Sequence, residues 1–250
     1  MRSLIVLLLA ALFVSAFAES ARAQQPVSFV SADGLKIHAV YYPAPGASAP
    51  IVLLLHQAGS NHWEYALVAP RLVHAGFSCL ALDQRAGGDM WGHKNETAAQ
   101  LARSADYLDA LGDLEAALAW ARKQDPSRKV IFWGSSYSAS LVFLLAAKHP
   151  GEIAGLLSFS PGEYFEDKHL VRDAAAKVNI PVFVDSAKSD DEEEKARAIF
   201  DFVPDTKDKV QFLPQIAGVH GSSTLRDDRN PLGAAENWKA VLDFLQQFRQ

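Results

Sequence analysis

Residues 129–140 place a serine at the junction of two predicted elements. The strand-like sequence KVIFW leads into Gly134-Ser-Ser136-Tyr-Ser138, and an apolar helix is predicted to begin at once. In such a sharp turn the Ser136 hydroxyl projects above the carboxyl edge of a sheet, and the next N–H points to the same space. This arrangement suits a nucleophilic serine with a backbone oxyanion donor. A helix N-cap is the alternative role of Ser136.

A serine nucleophile needs a general base, and three histidines follow Ser136 in the chain. His149 ends a predicted helix, where a histidine favourably caps the C-terminus. His169 precedes a weak helix, where no strand end would aim it at the serine. His220 lies in a loop after the last predicted strand, which is where a base must lie to meet Ser136. We therefore predict His220 as the general base.

Four segments of the chain resemble the α/β-hydrolase family and occur in that family's order. They are LLLHQAGS at residues 53–60, LALDQRAGG at residues 80–88, GSSYS at residues 134–138 and PVFVDSAKSD at residues 181–190. In turn they resemble the family's oxyanion loop, the segment after its fourth strand, its nucleophile elbow and the strand segment that ends in the acid. Gln57 and Ser138 depart from the pattern, because the family commonly has glycine at both places.

The resemblance also implies the acid that orients His220. It assigns this role to Asp190, at the end of the fourth segment. Asp191 is the near alternative, and Asp185 would lie closer to the strand end. Asp190 and Asp191 could equally be N-caps of the acidic helix that follows, since carboxylates are favoured at a helix N-terminus.

Two backbone N–H groups are expected to bind the oxyanion. One belongs to Tyr137, which directly follows the nucleophile. The resemblance assigns the other to Ala58, with Gln57 as the alternative. Removing one such donor typically costs about 3 kcal/mol of transition-state stabilisation.

Short connections and a few aromatic residues outline the predicted substrate site. About twenty residues separate the sixth and seventh predicted strands, too few for the helical lid that many family members insert there. We therefore expect a site that is open or covered only by loops. Trp91, within residues 87–103, and Tyr164, within residues 162–165, are candidate walls, and Gln57 is a third candidate substrate contact. Trp91 and Tyr164 could equally be packing residues.

Predicted strands and helices alternate along the rest of the chain. After a hairpin at Asp33-Gly34, this alternation favours a doubly wound, mostly parallel sheet with helices on both faces. No linker divides the chain, so we predict a single α/β domain over residues 24–250. The predicted strands are residues 27–30, 35–42, 51–55, 77–82, 130–133, 153–159, 181–184 and 210–213. The predicted helices are residues 63–75, 105–124, 137–148, 170–178, 191–202 and 234–248.

The first 23 residues have the pattern of a signal peptide. Arg2 gives a positive start, residues 4–18 are uninterruptedly apolar, and an A-x-A pattern ends at Ala23. The apolar run is short for a membrane span, so we predict cleavage after Ala23, with Ala18 as second choice and an uncleaved anchor as the alternative. The rest of the sequence contains no second long apolar run, so we predict no membrane span in the mature chain. We expect a periplasmic or secreted protein.

Composition excludes several classes of protein. The 24 basic and 29 acidic residues give a net charge of −5, and no basic cluster longer than a pair occurs, so we predict no nucleic-acid partner. Cys79, the single cysteine, cannot form an internal disulfide. No metal-ligand spacing and no glycine-rich phosphate loop is present, so we predict neither a metal nor a cofactor.

The resulting hypothesis is an exported serine hydrolase that cleaves a small or accessible carboxylic ester, or a lactone. The resemblance points to a carboxylesterase of the dienelactone-hydrolase-like branch, with serine as nucleophile where that branch often has cysteine. A thioesterase or peptidase could use the same triad, because fold and triad do not fix the leaving group. A hydrolase-like binding protein that has lost turnover is the alternative from another class.

Overall fold

The structure is a computed structural model that describes residues 24–46, 48–205 and 208–249. The predicted signal peptide lies outside these residues. Within them, eight strands form one sheet. The strands are β1 (Gln25–Val30), β2 (Lys36–Tyr42), β3 (Ile51–Leu55), β4 (Ser78–Asp83), β5 (Val130–Ser135), β6 (Gly155–Phe159), β7 (Val182–Asp185) and β8 (Lys209–Phe212). The α-helices are α1 (Ala69–His74), α2 (Leu111–Gln124), α3 (Tyr137–Lys148), α4 (Leu170–Ala175), α5 (Asp190–Phe200) and α6 (Ala234–Leu245).

The strand order β1-β2-β4-β3-β5-β6-β7-β8 confirms the predicted doubly wound, mostly parallel sheet. Strands β3 to β8 run parallel to one another, whereas β2 is antiparallel to β1 and β4. The order reverses at β3, and ligands of such sheets bind where the order reverses at the carboxyl edge. Leu55 at the end of β3 pairs with Gly134 of β5. The loop after β3 and the turn after β5 therefore begin side by side.

The predicted hairpin is confirmed at the start of the sheet. Val30 of β1 pairs with Lys36 of β2 across the turn. Gly34 has a φ of 87°, a left-handed conformation that glycine adopts without steric cost. The Asp-Gly pair thus sets the register of the first two strands.

Helices cover both faces of the sheet. On one face α2, α3 and α5 bury side chains such as Leu118, Leu141 and Ile199. On the other face α1 and α6 bury Leu72 and Trp238. All five residues of β3 are buried as a result, which is why its sequence is continuously apolar rather than alternating.

The helix predicted over residues 63–75 was wrong as a single element. The structure has a short 3-10 turn at His62–Tyr65 and then α1, with Pro70 in its first turn. Proline lacks an N–H and is tolerated in a helix only near its start. A continuous helix through residue 70 would have placed it in the interior.

The segment between β6 and β7 is short, as predicted. It contains α4, a helix of six residues, and no large cap domain covers the carboxyl edge of the described sheet. None of the helices in the described ranges combines the length and apolar character needed to cross a membrane.

Candidate active site

Ser136 lies in a sharp turn between β5 and α3. Its φ of 58° and ψ of −122° are unusual for a residue other than glycine, and such strain is typical of functional sites. The turn is held because the Ser136 N–H donates to the carbonyl of Phe159, at 2.8 Å. Ser136 is 8% exposed. The geometry is that of a nucleophile elbow.

Close packing of β5 and α3 requires a glycine before the turn. A Cβ added to Gly134 would lie 2.2 Å from the carbonyl oxygen of Ser138, far inside van der Waals contact. Tyr137 begins α3, and the first N–H groups of a helix have no partner within the helix. The Tyr137 N–H is thus placed as an oxyanion donor requires.

The loop that carries His220 is fastened to this elbow. The Gly221 N–H donates to the Ser160 hydroxyl at 2.9 Å, and the Ser222 N–H donates to the Ser135 hydroxyl at 2.9 Å. A Cβ at Gly221 would collide with the Ser135 hydroxyl oxygen at 2.4 Å. The backbone beside His220 is therefore pinned next to the residue that precedes Ser136.

His220 has a carboxylate partner on α5. Its Nδ1 lies 2.9 Å from Oε1 of Glu192. Burial acts to raise the pKa of Glu192, but the hydrogen bond and charge of His220 outweigh it, so the pKa lies below its usual value. Glu192 therefore stays ionised at neutral pH and holds the imidazole through Nδ1, while Nε2 has no hydrogen-bond partner among the described residues.

The structure does not place Asp190, the predicted acid, against His220. Asp190 is the first residue of α5 and is exposed, whereas Glu192 is two positions further on. Successive helical residues turn by about 100°, so the two side chains point to nearly opposite sides. Asp191, the predicted alternative, pairs instead with Lys195 at 2.5 Å.

Asp185, the other alternative, is a buried acid at the end of β7. Its Oδ1 accepts the Ser186 N–H at 2.7 Å, and its Oδ2 has no hydrogen-bond partner among the described residues. Burial raises the pKa of Asp185 well above its usual value. Burial thus disfavours the charged form of this carboxyl group, which is the form that would stabilise an imidazolium.

The loop after β3 contains the second predicted oxyanion donor. The Gln57 N–H donates to Oε2 of Glu64 at 2.9 Å, which removes Gln57 as a candidate donor. For the Ala58 N–H, no acceptor occurs among the residues that the structure describes. Of the two predicted donors in this loop, Ala58 is thus the one whose N–H remains available.

Buried His56 supports this loop from behind. Its Nε2 accepts the Gln84 N–H at 2.9 Å, so its proton lies on Nδ1, which is 2.8 Å from the Gln57 carbonyl oxygen. Burial lowers the pKa of His56 to about 4. The imidazole is neutral and structural rather than a general base.

Sequence comparison identifies the family to which this arrangement belongs. The model of a hydrolase family described as serine aminopeptidase, S33, matches residues 46–211, about two thirds of the chain. The chain belongs to the serine aminopeptidase S33 family. Its fold is therefore that of an α/β-hydrolase. Among curated proteins, no sequence was found to match the chain.

Solved structures extend the likeness of this S33-family chain to its overall fold. A dienelactone hydrolase from Anabaena variabilis has a TM-score of 0.70 at 17% identity, over 91% of this chain and 99% of its own. An esterase from an Arctic intertidal metagenomic library has 0.69 at 20%, over 91% and 94%. An esterase from Pyrococcus furiosus has 0.67 at 18%, over 91% and 93%. At these identities the likeness establishes the fold.

Ser138 replaces the glycine that α/β-hydrolases commonly have, and it gains specific hydrogen bonds. Its hydroxyl donates to the His56 carbonyl at 2.7 Å and accepts from the Gln84 side-chain amide at 2.9 Å. The same amide donates to the Tyr137 hydroxyl at 3.0 Å. The substitution therefore joins the nucleophile helix to the oxyanion loop.

Tyr164, a predicted substrate contact, lies beside the catalytic candidates of this S33-family chain. Its hydroxyl donates to the Ser160 carbonyl at 2.9 Å. Burial raises the pKa of Tyr164 to about 12, with a further rise from the charge of Glu192 and an opposing effect from the Ser136 side chain. A half-buried phenol in this position can form one wall of a substrate site.

Trp91, another predicted contact, is more heavily engaged by protein. Its indole N–H donates to the Ser60 hydroxyl at 2.9 Å. The guanidinium groups of Arg226 and Arg229 lie 4.2 and 4.7 Å from its ring. These contacts fix Trp91 against the end of the oxyanion loop. In the described ranges, no cluster of three or more His, Cys, Asp or Glu side chains could hold a metal ion.

Glu192 is the main site residue that the sequence reasoning missed. A signal for it exists in the spacing of α5. Ala196 and Ile199 are the buried residues of this helix, and Glu192 precedes them by four and seven positions. Residues at these spacings share one helical face. The helical register thus selects Glu192 from the five acidic residues at positions 190–194.

Proposed function

We propose that this hydrolase cleaves small or accessible carboxylic esters, or lactones, with Ser136 as nucleophile, His220 as base and Glu192 as the orienting acid. The observation that carries the proposal is the 2.9 Å contact between His220 and Glu192 on a loop fastened to a strained serine turn. A nucleophile, a base and an orienting acid are the three parts of an acyl-transfer site. A purely structural role for these side chains would not require all three to occur together.

The first half of the reaction follows from these roles. His220 removes the proton from the Ser136 hydroxyl as its oxygen bonds to the acyl carbon. The carbonyl oxygen becomes an oxyanion, which accepts hydrogen bonds from the N–H groups of Tyr137 and Ala58. When the tetrahedral intermediate collapses, the bond to the alcohol oxygen breaks and His220 returns the proton to that oxygen. In a lactone the freed hydroxyl stays on the acyl group.

The second half uses the same groups in reverse order. His220 removes a proton from water, whose oxygen bonds to the acyl carbon. Tyr137 and Ala58 again bind the oxyanion. The Ser136 ester bond breaks, the serine oxygen takes the proton from His220, and the carboxylic acid leaves. Glu192 keeps its charge throughout and stabilises each imidazolium.

The surroundings of Ser136 support a compact substrate. No large cap covers the described carboxyl edge, so the acyl group needs to enter only a shallow site. Tyr164 beside Ser136, Gln57 in the oxyanion loop and Trp91 behind that loop are the proposed substrate contacts. Tyr164 has the strongest support, because it interacts with both Ser136 and Glu192.

Hydrolysis of p-nitrophenyl acetate and butyrate tests this function. Wild-type protein should release p-nitrophenol with saturation kinetics, and Ser136→Ala should keep only a small fraction of the wild-type turnover. Asp227→Asn is a suitable control, because Asp227 is exposed and pairs only with Arg71 on the surface. Equal activity in Ser136→Ala and wild type would contradict the proposal.

Peptide hydrolysis is the second candidate function, because the family model is described as a serine aminopeptidase. Leucine p-nitroanilide in the same assay separates it from esterase activity, and an acyl-coenzyme A substrate separates thioesterase activity. Release from the anilide with a larger kcat/KM than from the esters would favour the peptidase. Ligand binding without turnover, unchanged in Ser136→Ala, would indicate a binding protein.

We also propose that the chain is exported to the periplasm or secreted after cleavage behind Ala23. The support is the apolar run and the A-x-A pattern in residues 1–23. Expression of the full chain in a bacterial host, followed by fractionation and N-terminal sequencing, tests this. A mature N-terminus at Gln24 in the periplasmic fraction is expected. An intact Met1 in the cytosolic fraction would contradict it.

A further inference from the structure

The peptide groups of the oxyanion loop are held one after another by buried side chains. The Tyr65 hydroxyl donates to the Leu55 carbonyl at 2.6 Å. The Ser138 hydroxyl donates to the next carbonyl, that of His56, at 2.7 Å. The Gln57 carbonyl accepts from His56 Nδ1 and from the Ser60 N–H, at 2.8 and 3.2 Å. These contacts fix the carbonyl side of each peptide.

Glu64 holds the N–H side of this loop. Its Oε2 accepts the Gln57 N–H at 2.9 Å, and the residue is fully buried. Its backbone is anchored as well, because the Arg226 guanidinium donates to the Glu64 carbonyl at 2.9 Å. The carboxylate thus connects a fixed 3-10 turn to the peptide that precedes Ala58.

A purely structural role does not explain why the Glu64 carboxyl group binds the Gln57 N–H through only one of its oxygens. A buried carboxyl group is costly unless its oxygens are paired, yet Oε1 of Glu64 has no hydrogen-bond partner among the described residues. The side chains of Ser135 and Ser60 act to lower the pKa of Glu64, which burial raises, but the backbone group that its carboxyl oxygen accepts from is the Gln57 N–H, next to Ala58.

The Gln57 N–H belongs to the His56–Gln57 peptide, and the Ala58 N–H belongs to the next peptide, whose Gln57 carbonyl accepts from His56 and Ser60. With both peptide planes held, the rotation about φ and ψ of Gln57 that would turn the Ala58 N–H away is restricted.

We propose that Glu64 is a positioning residue that orients the Ala58 N–H toward the oxyanion by fixing the His56–Gln57 peptide on its N-terminal side. The inference rests on the hydrolase function proposed above. It requires the length of the Glu64 side chain and one acceptor oxygen, but not its charge. Those requirements can be separated by two substitutions.

Glu64→Gln and Glu64→Asp form the decisive pair. The glutamine keeps the reach and one acceptor oxygen and removes the charge, so its kcat should stay within about threefold of wild type. The aspartate keeps the carboxyl group and is one methylene too short to reach Gln57. Its kcat should fall by about tenfold to a hundredfold with KM little changed, since loss of an oxyanion donor costs about 10² to 10³ in kcat. Asp113→Asn, another buried carboxylate that accepts a backbone N–H, from Arg85, controls for general loss of stability.

Amide hydrogen exchange of residues 56–60 gives a readout that needs no activity. Exchange should be faster in Glu64→Asp than in wild type, and nearly unchanged in Glu64→Gln and Asp113→Asn. If wild type hydrolyses no ester, the proposed function fails while the exchange data still decide whether Glu64 fixes the loop.

Several results would overturn the proposal. Equal kcat values in the two Glu64 variants would show that reach is unimportant. Unchanged exchange in Glu64→Asp would show that the loop holds its shape without this contact. Should the aspartate variant not fold, Glu64→Gln alone decides, since a tenfold loss of kcat in that variant would mean that charge and not reach matters.

Discussion

The two sides of Ser136 are built in opposite ways. On the oxyanion side, His56 and Glu64 are fully buried and bound to backbone groups. On the base side, the side chains of His220 and Glu192 are 39% and 19% exposed. Donors to an oxyanion are effective when they are fixed before the reaction, whereas an imidazole that gains and loses a proton benefits from nearby water, because full burial disfavours its charged form. Rigidity thus suits the binding of an oxyanion, and contact with solvent suits the transfer of a proton by the imidazole.

The largest expected effect lies on the exposed side, at Glu192. Glu192→Gln should lower kcat/KM by about 10² to 10⁴, because an amide cannot stabilise the imidazolium and can hold His220 in the wrong tautomer. Steady-state ester hydrolysis measures it. Asp190→Asn is the matched control and should remain within twofold of wild type. A larger loss in Asp190→Asn than in Glu192→Gln would reverse the assignment of the acid.

On the buried side, His56 should make the free energy of unfolding depend on pH. Its pKa is about 4 in the folded chain against 6.5 for the free side chain. Below pH 6.5 the unfolded chain binds a proton that the folded chain does not, so stability is complete above pH 6.5 and falls as the pH drops toward 4. The loss amounts to about 3 kcal/mol. Urea unfolding of wild type and His56→Gln at pH 7 and pH 4 measures it, and parallel pH curves for the two proteins would count against a neutral buried His56.

A smaller effect is expected at Ser138, whose hydroxyl connects α3 to the loop after β3 through the His56 carbonyl. Ser138→Ala leaves the His56 carbonyl and the Gln84 amide without this partner, and should lower the free energy of unfolding by about 1–3 kcal/mol. Ser127→Ala, which removes an exposed hydroxyl, should change it by less than about 0.5 kcal/mol. Urea denaturation compares the two variants. Equal stabilities would show that Ser138 is only a small residue in a tight space.

The smallest expected effect concerns Tyr164, which borders the exposed side. Tyr164→Phe removes the hydroxyl that donates to Ser160 and should change KM by about two- to fivefold with kcat nearly constant. A loss of more than tenfold in kcat would place its hydroxyl in the reaction. An unchanged KM would leave Tyr164 as a packing residue.

Much of the fold could be predicted from local sequence. Continuous apolar runs marked the buried parallel strands, as in β3, and Asp33-Gly34 marked the hairpin turn. Pro70 shows where hydrophobic periodicity alone misleads. The helical spacing of apolar residues continues past it, although proline is not tolerated in the interior of a helix. The boundary followed from the missing N–H of proline rather than from hydrophobicity.

The site could be predicted only where position along the chain determines position in space. Ser136 follows β5 directly, and its turn geometry is encoded by its neighbours. Glu192 is brought to His220 by the rotation of α5, whereas a match to the family segment selected Asp190, two residues earlier. Glu64 and His56 act through contacts with Gln57 that depend on tertiary packing. No local pattern in the sequence specifies which N–H a buried carboxylate accepts.

Labelling with a fluorophosphonate probe tests the central claim most directly, since such probes modify only an activated serine. Intact mass and peptide mapping of the folded protein should show a single adduct on Ser136, absent in His220→Ala and strongly slowed in Glu192→Gln. A folded protein that forms no adduct, or one modified at another serine, would contradict the assignment of Ser136, His220 and Glu192.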